Sequence, residues 1–501
     1  MRRGRAPGAL LPVCLALALA GAVPLSAAPD AAGAEPATRT AAPAVAPPGA
    51  SGARSPRAKK AARPADLVGH GGPVRAIAVS RDGGRALTGS FDYAMMYWDL
   101  SGPAPKVLAR FTDHDGPVNA VRFLPGEKLA LTGSDDGTLG LWDLGQGKLV
   151  HRFKGHTAKV VDVAVSADGR LAASASWDRT VRLWNLETRR PGPVLSGHTA
   201  PVNAVAFAAG PAASRLYSAG HDGTVRAWDV AAGELKRALY RHGWGINGLK
   251  ALPDAGKLLF GALNGEAGVI DVESGKVSTV LAPHEGPVLA LAVRPDIGLA
   301  ATGGADGVVN VWATGRWARK QRHANPYGPI WGLAFARDGK RLYYSGLDDF
   351  VTAWQMSPRK PFEEVASPYP RRFQATKDMS LGERQFARKC SVCHTLKPDD
   401  GNRAGPTLYK VFGRRAGSLP GYPYSDALKK SDIIWTEKTI GLLFDHGPQQ
   451  VTPGSKMPLQ QILDPRKRKA LIAYLKTATS GEGEPQGRPE GESPRSTEQS
   501  K

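Results

Sequence analysis

The chain has 501 residues, which is too long for one ordinary domain, and a hydrophobic share of 42%, which is enough for sizeable cores. Lys and Arg number 66 against 45 Asp and Glu, and this basic excess favours acidic partners of a kind that composition does not identify. Three cysteines are too few for a scaffold held together by disulfides.

The first 28 residues have the three parts of a secretory signal peptide. Three arginines within the first five residues precede an apolar run from Leu10 to Val23, and small residues follow as far as Ala28. The run is shorter than the roughly 20 residues that a membrane-spanning helix needs. We therefore predict a periplasmic or otherwise exported protein with no membrane span in the mature chain; a retained anchor is the alternative.

Two polar segments lack the residues that a core requires. Residues 29–63 are mostly Ala, Pro, Gly and Arg, and residues 480–501 are rich in Gly, Glu, Pro and Ser. Because branched and aromatic side chains are scarce in both, we predict that both segments are disordered.

Between residues 64 and 356, three residue series recur at intervals of 39 to 44 positions. The first is a histidine, often in a turn-like setting, at His70, His114, His156, His198, His242, His284 and His323. The second is a tryptophan, replaced once by isoleucine, at Trp98, Trp142, Trp184, Trp228, Ile270, Trp312 and Trp354. Six residues before each of these lies an acid or amide, at Asp92, Asp136, Asp178, Asp222, Asn264, Asp306 and Asp348. Short branched runs bounded by Asp-Gly turns predict strands throughout.

The three series resemble the WD40 repeat family over residues 66–356, which implies an all-β propeller of seven four-stranded blades. The family closes its ring by letting the first strand, here near residues 66–68, complete the last blade. Repeat five departs from the pattern and is expected to lack the full hydrogen-bonded network of the family. In repeat three the network residues would be His156, Ser176, Asp178 and Trp184.

One histidine per blade is the pattern of a repeated structural position. Side chains spread around a ring cannot converge on one metal, which needs about three or four ligands in one place. We therefore predict that the propeller has no redox centre of its own and binds a protein partner. The loops to test first are the insertion-like Ala208–Ser214 and the aromatic Asn325–Trp331.

A proline-rich linker over residues 357–375 separates the propeller from a segment with helical patterning, in which two cysteines and a histidine form a compact motif. Cys390, Cys393 and His394 have the spacing of c-type haem attachment. Two thiols add to the two vinyl groups of the porphyrin, and the adjacent imidazole reaches the iron. A structural zinc site would need further cysteines, and a thioredoxin-like pair would need a βαβ pattern that is absent here.

A methionine lies 63 residues after the histidine, in a turn-rich stretch. Met457 follows Pro453, Gly454 and Ser455, and its thioether would fill the sixth position of the haem iron. Ligation by His and Met raises the reduction potential. The alternative is a methionine in an exposed loop.

Residues 376–479 resemble the class I cytochromes c, so we predict an all-α domain after the propeller. The resemblance implies that the Pro406 carbonyl receives the proton on the far nitrogen of His394, and that Tyr424 and Trp435 bond a haem propionate. It also places Ser455 where the family has a Thr in the methionine loop. This chain departs from the family in having Phe444 where a tyrosine is usual.

The same segment carries 18 Lys and Arg against nine Asp and Glu, which favours an acidic redox partner. Nucleic acid is not expected as a partner, because the basic residues are not interleaved with aromatic ones and the chain is expected to be exported.

We therefore predict a non-enzymatic electron-transfer protein with one covalent haem c and a propeller that docks proteins. Two alternatives are a periplasmic oxidoreductase with a substrate site on the propeller and the haem as relay, and a haem-based redox sensor or assembly protein. Metals or chromophores beyond one haem per chain would favour the oxidoreductase.

Overall fold

A computed structural model describes residues 66–208, 214–252, 256–359, 378–398, 404–422, 424–455, 457 and 460–480. The predicted signal peptide and the first linker lie outside the described residues, as do most of the second linker and of the tail. Most of the loop between Ala208 and Ser214 also lies outside them.

Seven four-stranded sheets follow one another along the chain, each antiparallel and, in the first six, ordered as in the sequence. Blade one contains β2 to β5, at Val74–Val79, Arg85–Ser90, Met95–Asp99 and Lys106–Phe111. Blade two contains β6 to β9, at Val118–Phe123, Leu129–Ser134, Leu139–Asp143 and Lys148–Phe153. Blade three contains β10 to β13, at Val160–Val165, Leu171–Ser176, Thr180–Asn185 and Arg190–Ser196. Blade four contains β14 to β17, at Val202–Phe207, Arg215–Gly220, Thr224–Asp229 and Glu234–Arg241.

The remaining blades complete the ring. Blade five contains β18 to β21, at Ile246–Ala251, Lys257–Ala262, Ala267–Asp271 and Val277–Val280. Blade six contains β22 to β25, at Val288–Arg294, Leu299–Gly304, Val308–Ala313 and Ala318–Ala324. Blade seven contains β26 to β28, at Gly332–Phe335, Arg341–Ser345 and Phe350–Gln355, with β1 at Leu67–Val68 as its outer strand. The predicted closure is confirmed, because Leu67 pairs with Val351 and Val68 with Phe350.

Tryptophans hold neighbouring blades together. Trp184 of blade three is 1% exposed and packs with Leu131 and Leu141 of blade two. Trp228 of blade four packs in the same way with Leu183 of blade three. The hydrophobic core is therefore a series of inter-blade layers, and the predicted all-β propeller is confirmed.

A hydrogen-bonded network lies within blades one to four and six. In blade three, His156 Nδ1 lies 2.6 Å from the Asp178 carboxylate, while its Nε2 lies 2.7 Å from the Ser174 hydroxyl. Trp184 Nε1 donates to the same hydroxyl at 2.8 Å. The prediction of Ser176 for this role was wrong: Ser176 accepts from the Asp178 amide instead. Ser174 is the network hydroxyl because it pairs with Arg182 on the neighbouring strand. This register places it diagonally across from Trp184, within reach of the indole.

Blades five and seven use other contacts at the histidine position. His242 Nε2 lies 2.7 Å from the Glu266 carboxylate, and its ring packs on Phe260. In blade seven, His323 Nε2 lies 3.2 Å from the hydroxyl of Tyr344. Its ring stacks on Trp354 with centroids 4.7 Å apart. The expected departure of repeat five is confirmed.

Five helices follow the propeller in the described residues, which confirms the predicted all-α domain. They are α1 to α5, at Leu381–Lys389, Asp426–Lys429, Glu437–His446, Pro448–Val451 and Pro465–Thr479. α1 begins where the Ser380 side chain accepts from the Glu383 amide, and α5 begins where the Asp464 carboxylate accepts two amides. The two helices cross at Gly382, where a Cβ would lie 2.2 Å from the Ala470 carbonyl oxygen. None of the helices in the described ranges is long and apolar enough to cross a membrane.

Candidate functional site

A largely apolar cavity lies inside the helical domain. The four residues predicted from the sequence as haem attachment points or ligands all line it, and so do the four predicted to surround the haem. They are Cys390, Cys393, His394, Met457, Pro406, Tyr424, Trp435 and Ser455. The structure thus brings together side chains that are spread over 68 positions of the sequence.

The end of α1 sets the geometry of the two thiols. Cys390 is the C-cap of this helix, and a tight turn follows, in which the amides of Cys393 and His394 both donate to the Cys390 carbonyl. This turn directs the three side chains of the motif into one cavity. The two cysteines are not joined in a disulfide. Burial and the neighbouring Cys393 raise the pKa of the Cys390 thiol to about 12, which is the reverse of a thioredoxin-like reactive cysteine.

The imidazole of His394 is fixed from behind. Its Nδ1 lies 2.7 Å from the carbonyl oxygen of Pro406, to which an Nδ1–H would donate. With the proton on Nδ1, Nε2 is the ring nitrogen that is free to coordinate a metal. Gly405 packs flat against the ring, since a Cβ at this position would lie 2.5 Å from His394 Cε1. The Gly-Pro pair therefore sets both the tautomer and the orientation of the ring.

The methionine loop is anchored by two hydroxyls. Thr452 is 4% exposed and donates to Ser455 at 3.2 Å, and the Ser455 hydroxyl accepts weakly from the Met457 amide at 3.4 Å. Ser455 thus connects Met457 to the end of α4. The sequence pattern singled out Ser455 but not Thr452.

One part of the cavity wall is polar. Tyr424 and Trp435 line it together with Arg414, which was not among the site residues predicted from the sequence. Arg414 donates to the carbonyls of Thr407 and Tyr409 at 2.6 and 3.2 Å, and burial lowers its pKa. A half-buried guanidinium beside two groups that can donate hydrogen bonds suits the carboxylates of a haem.

One residue of the cavity wall comes from the propeller. Tyr93, in the turn between β3 and β4, lines the cavity together with Cys393 and Tyr422. Nothing in the sequence predicted a contact between the two domains here. In the described part of the chain, no group of three or more His, Cys, Asp or Glu side chains is arranged to hold a metal ion by itself.

Comparisons with known protein families agree with the fold of both domains, the propeller and the helical domain. The family described as "Cytochrome c" matches residues 379–479. The family described as "WD domain, G-beta repeat" matches five segments, which correspond to blades one to four and six, at residues 63–99, 105–143, 147–185, 189–229 and 275–313. Most of blade five and of blade seven lies outside these matches, and these are the two blades with altered histidine contacts.

Individual relatives match the helical domain over nearly their whole length. The chain is 42% identical to cytochrome c of Sesamum indicum over 105 residues, which are 21% of this chain and 92% of that protein. It is 39% identical to cytochrome c of Nigella damascena over 105 residues, with the same coverage of both chains. It is also 39% identical to cytochrome c of Arabidopsis thaliana over 102 residues, 20% of this chain and 90% of that protein.

Proposed function

The chain belongs to the cytochrome c family through its C-terminal domain, and on this premise we propose that it transfers single electrons through one covalently bound haem c. The observation that carries the proposal is the convergence of two thiols, an imidazole and a thioether on one cavity. Cys390 and Cys393 would each add an S–H across a porphyrin vinyl group. A bound haem supplies a one-electron couple at its iron.

The protein side chains would then position the group and tune it. His394 Nε2 and the Met457 sulfur would hold the haem iron, and ligation by His and Met favours a high potential. Pro406 would hold the imidazole through the 2.7 Å bond at Nδ1, which makes the ring a better donor. Tyr424 and Trp435 would bond a propionate, and the Arg414 guanidinium adds a charge of the right sign.

Acid–acetone extraction tests the attachment. The pigment of the purified protein should stay with the polypeptide, because thioether bonds survive acid. Cys390→Ser and Cys393→Ser should each reduce this retention, and the double variant should abolish it. Complete extraction of haem from the wild type would contradict the proposal.

We propose further that the haem domain carries electrons and does not catalyse a reaction, while the propeller binds protein. WD40 repeats favour protein interaction, and the 18 basic residues between 376 and 479 favour an acidic redox partner. Elemental and cofactor analysis of the purified chain should give one iron and no further redox group. A second bound metal or organic cofactor would favour the oxidoreductase instead.

Export is a further part of the proposal and rests on the pattern of residues 1–28. Cell fractionation should find the holoprotein outside the cytoplasm. Mass spectrometry of the intact mature protein should show that the signal peptide has been removed. A mature mass that includes residues 1–28 would support a retained anchor.

A further inference from the structure

The residue at the tip of the β3–β4 turn is unusual among the blades. In blades two, four, five and six the equivalent turn residue is a glycine with φ between 72° and 94°, at Gly137, Gly223, Gly265 and Gly307. In blade one it is Tyr93, with φ of 66°. A bulky side chain in the left-handed region is uncommon, and among the equivalent turn positions blade three shares it, with Arg179 at φ of 72°.

The surroundings of Tyr93 include the helical domain. The side chain lines the same cavity as Cys393 and Tyr422, and the residue is only 9% exposed. Burial raises the pKa of its hydroxyl, and Cys393 and Tyr422 add to the shift. The ring therefore lies against the part of the cavity where the second thiol is located.

The turn that carries Tyr93 is held in place within the propeller. The Tyr93 amide donates to the Ser90 carbonyl at 3.2 Å, and the Ala94 amide donates to the Asp92 carboxylate at 3.0 Å. Phe91 stacks on Trp331 with centroids 5.6 Å apart, which braces blade one against blade seven. Tyr93 therefore lies in a turn that hydrogen bonds hold in place, directly after Asp92 of the hydrogen-bonded network.

From these contacts we propose that Tyr93 is a haem-site residue supplied by the propeller, whose ring covers the haem edge beside Cys393. The inference rests on the proposed function and adds that the propeller contributes a residue to the haem site. Tyr93 acts as a positioning and shielding residue, because its ring limits the access of water and of small reagents to that edge.

The test compares two substitutions at equivalent turn positions. Tyr93→Gly introduces the residue that four other blades carry, so the turn can keep its shape. Arg179→Gly is the matched control, because Arg179 is exposed, has φ of 72° and occupies the same turn position in blade three. Tyr93→Phe retains the ring and removes only the hydroxyl.

The measurements are the midpoint potential and the rate of haem reduction by ascorbate. Tyr93→Gly should lower the potential, because water at the haem edge stabilises the oxidised charge, and should speed reduction severalfold. Tyr93→Phe and Arg179→Gly should both match the wild type. Acid–acetone extraction of each protein checks that the haem is attached.

The possible failures are distinguishable. A Tyr93→Gly protein with attached haem and wild-type potential and rate would overturn the shielding role alone. Equal shifts in Arg179→Gly would overturn it as well, since they would show a general effect of the turn. A wild type without covalent haem would overturn the proposed function and this inference together.

Discussion

Met457 gives the clearest residue-level prediction. Replacing it with Ala removes the proposed thioether ligand, and axial ligands set haem potentials over a range of about 0.8 V, so we expect the midpoint potential to fall by on the order of 0.1 V or more. The near-infrared band of thioether ligation should disappear from the oxidised spectrum. Small external ligands should bind the iron more readily.

Met379→Ala is the control for this change. Met379 lies just before α1 and is not part of the cavity wall. This variant should keep the wild-type spectrum and potential. A Met457→Ala protein with an unaltered near-infrared band would show that another group is the sixth ligand.

Single residues differ in how far the sequence could place them. Cys390, Cys393 and His394 lie within five consecutive residues, so one short turn after α1 is enough to bring them together. Ser174 could not be separated from Ser176, because both are serines on one face of one strand and only the register with Trp184 decides. Tyr93 was not predicted, although a tyrosine where four blades carry glycine was visible in the alignment of the repeats.

Among elements, the crossing of α1 and α5 depends on one glycine. A Cβ at Gly382 would lie 2.2 Å from the Ala470 carbonyl oxygen and 2.7 Å from Tyr474 Cβ. The helices would have to move apart, so Gly382→Ala should lower the free energy of unfolding of the helical domain by about 2 kcal/mol. Thermal or denaturant unfolding followed at the haem absorbance measures this.

A second helical glycine provides the matched control. Gly441 lies within α3, and a Cβ there would meet only Ile472 Cδ1, at an ordinary 3.5 Å. Gly441→Ala should therefore raise stability by about 0.5–1 kcal/mol through helix propensity. If the two variants were destabilised equally, the close approach at Gly382 would not be the cause.

The blades of the propeller could be predicted from the repeat pattern of the sequence. A recurring unit of about 42 residues can only bury its apolar faces against copies of itself, so the number of repeats gave the number of blades. Helical patterning and the family resemblance together predicted the all-α class of the last domain, but they did not give the bounds of its helices. The contact between the domains depends on complementary shape, for which neither pattern carries information.

For the whole propeller, we predict a shared sensitivity to acid. Burial alone would raise the pKa of the network carboxyls, but hydrogen bonds and the charge of the paired histidines outweigh it. The pKa values are lowered in five blades, at Asp92, Asp136, Asp178, Asp222 and Asp306. Groups with depressed folded-state values stabilise the protein above their unfolded pKa, which is about 3.9 for Asp.

This stabilisation is lost as the pH falls from about 4 through the lower folded-state values. The melting temperature of the propeller, followed by tryptophan fluorescence, should therefore drop steeply below about pH 4. Asp178→Asn should melt at a lower temperature at pH 7 and show a shallower decline in acid. A wild-type melting temperature that stayed level down to pH 2 would contradict the network assignment.

Ring closure also imposes an order on biosynthesis. β1 is among the first propeller strands to leave the ribosome, but its partner β28 ends at Gln355, nearly 290 residues later. Until then β1 has no partner, and unpaired strands are prone to aggregate. The ring of blades therefore cannot close between β1 and β28 during most of the synthesis of the propeller. The haem domain follows the propeller in the chain, so the blade that carries Tyr93 emerges before the cysteines that are proposed to attach the haem.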